Sequence, residues 1–377
     1  MSPMLETLNT PAALIDIARM QSNITRMQLQ ADQLGVRLRP HVKTSKCLQV
    51  VQAQIAAGAA GIAVSTLKEA ETFFKEGISD ILYAVAIAPS KLSKAWALRS
   101  AGCSLKIIID SLVGAQAIVE FARSRDCSFD VYIEIDSDHH RSGVRSDAPA
   151  LVEIASALHH GGIALLGVMT HAGESYKLNT PEALRAIAEV ERRECVAAAE
   201  AIRAAGLPCP EVSVGSTPTA LNAVDLNGVT ELRAGVYVFF DLVMHNTGVC
   251  TLSELALSVL TTVIGHQREK GWIITDSGWM AMSRDRGTQS QTKDFGYGVV
   301  CTLEDEPVEG LLLRSANQEH GIASFDLPGI DVVSEYPIGT RLRILPNHAC
   351  ATGAQFPNYD AVHRDGSIEQ WARLYGW

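Results

Sequence analysis

Apolar runs and helix-length segments alternate along the chain up to about Phe240. Thr10 to Ile17 reads as a short strand. Asp16 can cap the segment Ile17 to Leu34, where Met20, Ile24 and Met27 recur at helical spacing before Gly35. Eight apolar runs follow: Val36 to Lys43, Gly61 to Ser65, Asp80 to Val85, Leu105 to Asp110, Asp130 to Asp136, Ala164 to Thr170, Glu211 to Gly215 and Glu231 to Phe239. Helical punctuation between them is clearest from Thr180-Pro181-Glu182 to Gly206-Leu207-Pro208, with an N-cap threonine, proline at the first helical position and a glycine able to turn left-handed at the end. Strands that are mostly apolar and joined by crossover helices are parallel and covered on both faces. Eight such units predict an α/β protein built on a closed (β/α)8 barrel. An open doubly wound sheet fits less well, because no G-x-G-x-x-G follows the first strand and no G-x-x-x-x-G-K-[ST] occurs.

Beyond Phe240 the helical period fades. Short β-like runs at Ala256 to Val263, Trp272 to Thr275, Gly298 to Leu303, Leu311 to Arg314 and Thr340 to Leu345 are broken by Gly and Pro, the pattern of a second, mostly β domain. The expected division is a barrel over residues 17–240 and a β-rich domain over 1–16 and 241–377.

Composition narrows the function. The 377 residues are 47% apolar and 20% charged, enough for a large buried core. The net charge of −10, with no basic run, disfavours nucleic acid and anionic membranes as partners. No stretch reaches the length of a membrane span, and residues 1 to 15 lack the pattern of a secretion signal. The eight cysteines are scattered without a C-x-x-C pair, which points to reduced thiols and a cytoplasmic protein.

Candidate chemistry gathers where barrel strands end. Lys43 closes the first of the eight runs, flanked by Arg39 and His41. Burial and neighbouring positive charge both disfavour an ammonium, and a neutral amine condenses with carbonyls. The fifth run leads into a polar loop containing Arg141, and the sixth into His171-Ala172-Gly173-Glu174-Ser175-Tyr176. The seventh leads into Gly215-Ser216-Thr217-Pro218-Thr219, whose backbone N–H groups could cradle a phosphate at the start of a short helix. A strand-end lysine together with a phosphate loop describes a pyridoxal phosphate site. Far along the chain, His348-Ala349-Cys350 places an imidazole and a thiol two residues apart, a donor pair suited to Zn²⁺ with open positions left over. Asp294-Phe295-Gly296 spells a kinase triplet, but no other kinase motif accompanies it.

In order and spacing these segments resemble the fold-type III pyridoxal phosphate enzymes, in the branch of D-threonine aldolase and metal-dependent D-serine dehydratase. The resemblance spans nearly the whole chain. It rests on Arg39 to Lys46, Glu134 to Asp136 with Arg141 to Val144, Thr170 to Gly173, Gly215 to Thr219, Arg233 to Tyr237, Asp276 to Gly278, Gln318 to Gly321 and Pro346 to Cys350. It implies an alanine-racemase-like barrel with a β domain, assembled as a homodimer. It implies a cofactor joined to Lys43, with His41, Arg141, His171 and Tyr176 around it, and a phosphate cup of Gly215, Ser216, Thr217 and Tyr237. His348 and Cys350 stand where the family holds its divalent metal. A thiolate ligand favours Zn²⁺, with Mn²⁺ the alternative. Aldolases of the branch usually carry H-x-D at this place and dehydratases H-x-C. The implied reaction is therefore dehydration of a 3-hydroxy-D-amino acid (D-threo-3-hydroxyaspartate, D-serine or D-threonine), followed by hydrolysis to a 2-oxo acid and ammonia. The alternatives are retro-aldol cleavage, simple carriage of the cofactor, and racemisation, for which no second base can be placed.

Overall fold

The computed structural model describes residues 5–327 and 329–377, so residues 1–4 of the expected β-rich segment lie outside the described residues. The chain divides into two compact units, Thr25–Gly235 with Gly376–Trp377, and Met1–Ile24 with Val236–Tyr375. Strand β1 (Ala12–Asp16) is followed by helix α1 (Ile17–Gln33), within which the chain passes from the unit containing Val236–Tyr375 to the one containing Thr25–Gly235.

The larger unit is a parallel barrel. Its strands are β2 (Arg37–Pro40), β3 (Ile62–Val64), β4 (Asp80–Ala86), β5 (Ser104–Ile109), β6 (Asp130–Ile135), β7 (Ala164–Thr170), β8 (Glu211–Val214) and β9 (Glu231–Ala234). All eight apolar runs read from the sequence are there. The crossovers are α2 (Leu48–Ala56), α3 (Leu67–Lys75), α4 (Leu92–Ser100), α5 (Leu112–Arg125), α6 (Pro149–His160), α7 (Pro181–Ala204) and the short α8 (Thr217–Asn222). Thr180 caps α7 through a bond from the Ala183 N–H, and Gly206 takes the left-handed conformation with φ +77°, as expected. Sheet order runs β2-β9-β8-β7-β6-β5-β4-β3, and the ring is nearly closed by one parallel bridge, His41 to Ala63.

The barrel interior holds both an apolar cluster and buried ions. Ala63, Leu82, Ile108, Tyr132 and Met169 pack together from β3 to β7. Arg39 on β2 is 1% exposed and donates to Glu231 on β9 and to Asp80 on β4, each at 2.7 Å. Arg233, two residues beyond Glu231, donates to the Ser213 hydroxyl and the Thr170 carbonyl. A buried charge of this kind is tolerable only when paired and hydrogen-bonded. The pairing also revises the reading of Arg39. Its charge is neutralised by Glu231 and Asp80 and is not directed at Lys43.

The second unit is mostly antiparallel, with a single parallel pairing among the described residues. Its strands β10 (Leu257–Gln267), β11 (Trp272–Thr275), β12 (Gly298–Cys301), β13 (Pro307–Ala316), β14 (Gly321–Phe325) and β15 (Arg341–Pro346) pair in the ring β10-β11-β14-β13-β12-β15 and back to β10. β10 is long enough to pair with β11 along its later half and with β1 along its earlier half. β1 in turn pairs with β16 (Asn358–Val362), and β16 with β17 (Ile368–Ala372). Leu14 on β1 closes a small core with Leu5, Ala12 and Leu260. Six of the eight cysteines are buried. Cys127 and Cys350 are partly exposed, and none is in a disulfide.

Candidate active site

Strand direction decides where the barrel presents its chemistry, because side chains in the loops after parallel strands converge at one end. Lys43 lies exposed in the turn after β2. Its backbone N–H donates to Nδ1 of the half-buried His41 in a long hydrogen bond of 3.4 Å. Arg141 lies exposed in the loop after β6, and His171 half-buried after β7. These groups share one electrostatic neighbourhood. Burial, with the charges of Lys43, Arg233 and Arg141 added, holds His41 well below the usual imidazole range. The same influences, burial foremost and then Lys43, bring His171 down to about 3. Both rings are therefore neutral at physiological pH. His171 keeps a defined tautomer, since its Nδ1–H donates to the Gly215 carbonyl at 3.1 Å. Tyr176 lies beside it, ring centroids 6.0 Å apart.

The loops after β7 and β8 share a brace that sequence reading missed. Glu191 on α7 is buried, and its Oε1 accepts from the Ala172 and Gly215 N–H groups, both at 3.0 Å. Burial raises its carboxyl to about 7, against the pull of the Thr219 hydroxyl and the two N–H donors. A signal was available. Glu191 falls within the buried stripe Leu184, Ala188, Cys195, Ala198 and Ile202 of α7, where a carboxylate needs a partner. The expected phosphate loop is buried and closely tied to itself. Ser216 caps α8 and forms a capping box with Thr219. Two of the N–H groups expected to face a phosphate are already engaged, that of Gly215 by Glu191 and that of Ser216 by the Thr219 hydroxyl at 2.9 Å. The Ser216 hydroxyl is backed by that of Ser175, 2.9 Å away. Tyr237, fully buried, belongs to the β-rich unit in the single turn Val236–Val238.

Within the β-rich unit, His348 is the N-cap of the short helix Ala349–Gly353 and Cys350 is its second residue. The structure brings the pair together. The imidazole is hydrogen-bonded to Cys350 and, through Nδ1, to Asp285 Oδ2 at 2.6 Å. Burial opposes protonation of this ring, but the Cys350 and Asp285 charges outweigh it and hold the group well above its usual range. Asp241, also missed, accepts from the Ala349 N–H at 2.9 Å and fixes the main chain between the two residues. Nothing in the local sequence marks Asp285 or Asp241. Among the described residues no group of three or more His, Cys, Asp and Glu side chains is arranged to hold a metal. A nitrogen and a sulfur donor fit a zinc-type ion whose remaining positions water or substrate would fill.

Comparison with known proteins decides the family. The model for the alanine racemase N-terminal domain matches residues 15–243, and the one described as "Putative serine dehydratase domain" matches 256–362. The chain belongs to the fold-type III family of alanine racemase-like D-serine dehydratases. It is 63% identical to D-threo-3-hydroxyaspartate dehydratase of Delftia sp. (strain HT23), covering 100% of both chains. It is 30% identical to the D-serine dehydratase of Dictyostelium discoideum, over 97% of this chain and 96% of that one. The solved structure of the Delftia enzyme superposes with a TM-score of 0.98 at 63% identity, covering 99% of each chain. A cysteine-to-alanine variant of that enzyme, described as its metal-free form, superposes equally well. Family membership places the barrel and the antiparallel unit in the architecture expected from the sequence. Among the described residues no helix is long and apolar enough to cross a membrane.

Proposed function

We propose that the chain is a pyridoxal phosphate- and divalent-metal-dependent dehydratase, a carbon–oxygen lyase that converts 3-hydroxy-D-amino acids to 2-oxo acids and ammonia. D-threo-3-hydroxyaspartate is the first substrate to test, because the relative matched end to end carries that name. D-serine and D-threonine follow. The observation that carries the reading is the pairing of His348 with Cys350 in a chain whose barrel mouth holds a lysine among neutral imidazoles. In the division of labour we propose, residues 17–240 bind the cofactor and the β-rich remainder holds the metal. We read the enzyme as a cytoplasmic homodimer.

When bound, the cofactor supplies an electron sink for charge at the substrate Cα, and the metal a Lewis acid for the departing hydroxyl. The chain does the rest. Lys43 would anchor the cofactor, and its amine would serve as general base for the Cα proton. His171, neutral and held by Gly215, would serve the cofactor site without adding charge, together with Arg141, His41 and Tyr176. Gly215, Ser216, Thr217 and Tyr237 would hold the phosphate. His348 and Cys350 hold the metal, Zn²⁺ in preference to Mn²⁺ because a thiolate is a soft donor.

The decisive assay offers D-threonine to the holoenzyme, with and without chelator. Release of 2-oxobutanoate and ammonia, abolished by chelation, is expected. Glycine and acetaldehyde instead would establish the aldolase reading. A chain that keeps the cofactor's visible absorbance but shows no metal-sensitive turnover would be a carrier.

A further inference from the structure

We infer that Asp285 is the positioning residue that aims His348 at the metal. An imidazole has two nitrogens and can face a metal with only one of them. Asp285 Oδ2 lies 2.6 Å from Nδ1, closer than a typical neutral hydrogen bond, as expected of a charge-assisted one. That contact keeps the proton on Nδ1 and leaves Nε2 to act as the metal donor. Imidazole ligands of metals usually donate their second N–H to a carboxylate in this way, which fixes the tautomer and strengthens the donor.

The surroundings are built to hold this geometry. The segment Met282 to Thr288 is tied to the segment Asn347 to Thr352 on both sides of Asp285. The Thr352 hydroxyl donates to the Met282 carbonyl at 2.8 Å, and the Thr288 hydroxyl donates to Asn347 Oδ1 at 2.9 Å. The Asp285 N–H is bound by the Ser283 hydroxyl at 3.0 Å, in a turn where Ser283 takes φ +69°. Two carboxylates thus divide the work. Asp241 sets the main chain between His348 and Cys350, and Asp285 sets the rotation of the ring.

This inference rests on reading His348 and Cys350 as metal ligands, and the test separates the two. Zn²⁺ affinity is measured by competition with a chelating indicator on the cofactor-loaded chain and on Asp285→Ala and Asp285→Asn variants. Asp285→Ala is expected to bind about 10- to 100-fold more weakly. Asp285→Asn, which keeps an acceptor but not the charge, is expected to lose several-fold. With Co²⁺ in place of Zn²⁺, both variants should shift the visible absorption of the bound ion. The cofactor's own absorbance should stay unchanged. Unaltered Zn²⁺ affinity and an unaltered Co²⁺ spectrum in the variants would overturn the role of Asp285 alone. Failure of the unsubstituted chain to bind either ion would overturn the metal site and this inference with it.

Discussion

A carboxyl group enclosed among apolar neighbours keeps its proton to higher pH than one in water, and Glu191 is so placed. Its pKa is about 7 in the folded chain, above the ordinary value of 4.5. Between those two values the folded state binds more protons than the unfolded one, so this group's contribution to stability falls as pH rises and levels off above about 7. His41 and His171 act in the opposite sense, because both are held neutral when folded and would take up protons when unfolded below about pH 6.5. A Glu191→Gln variant isolates the first effect, since the amide oxygen can still accept from Ala172 and Gly215. The difference in melting temperature between variant and unsubstituted chain should move in the variant's favour from pH 5 to pH 8. A difference that stays level across that range would show that Glu191 is ionised throughout.

Loops after barrel strands take their shape from what lies beneath them, and the β8 loop is the strictest case. Gly215 has φ +135°, and a Cβ there would fall on the Arg233 carbonyl oxygen of β9. Gly215→Ala should therefore cost about 2 kcal/mol or more, from strain and overlap together. Urea unfolding would measure it, and a midpoint equal to that of the unsubstituted chain would contradict the close approach. Elements of this kind differ in how far the sequence announced them. Strands β2 to β9 were legible because burial on both faces writes a nearly unbroken apolar run. β14, β16 and β17 escaped notice because they are short and partly exposed, and polar residues such as Ser324, Asp360, Glu369 and Gln370 interrupt them. The site divides along the same line. Lys43, His171 and the H-x-C pair lie in recognisable local patterns, whereas Asp285 reaches His348 across 63 positions and leaves no trace in either segment.

At the scale of the whole molecule, the antiparallel unit depends on a strand from the other side of the barrel sequence. β1 lies between β10 and β16, so its removal would expose two strand edges at once. A chain beginning at Ile17 is expected to lose the cooperative melting of the β-rich unit and to associate on size-exclusion chromatography. A monodisperse peak with the original melting profile would count against a structural role for β1. The same arrangement governs the order of events during synthesis. Both partners of β1 leave the ribosome only after all eight barrel strands, so the barrel can close while β1 is still waiting. A nascent chain therefore carries one unsatisfied apolar segment through most of its translation, and that interval is when a chaperone would be needed.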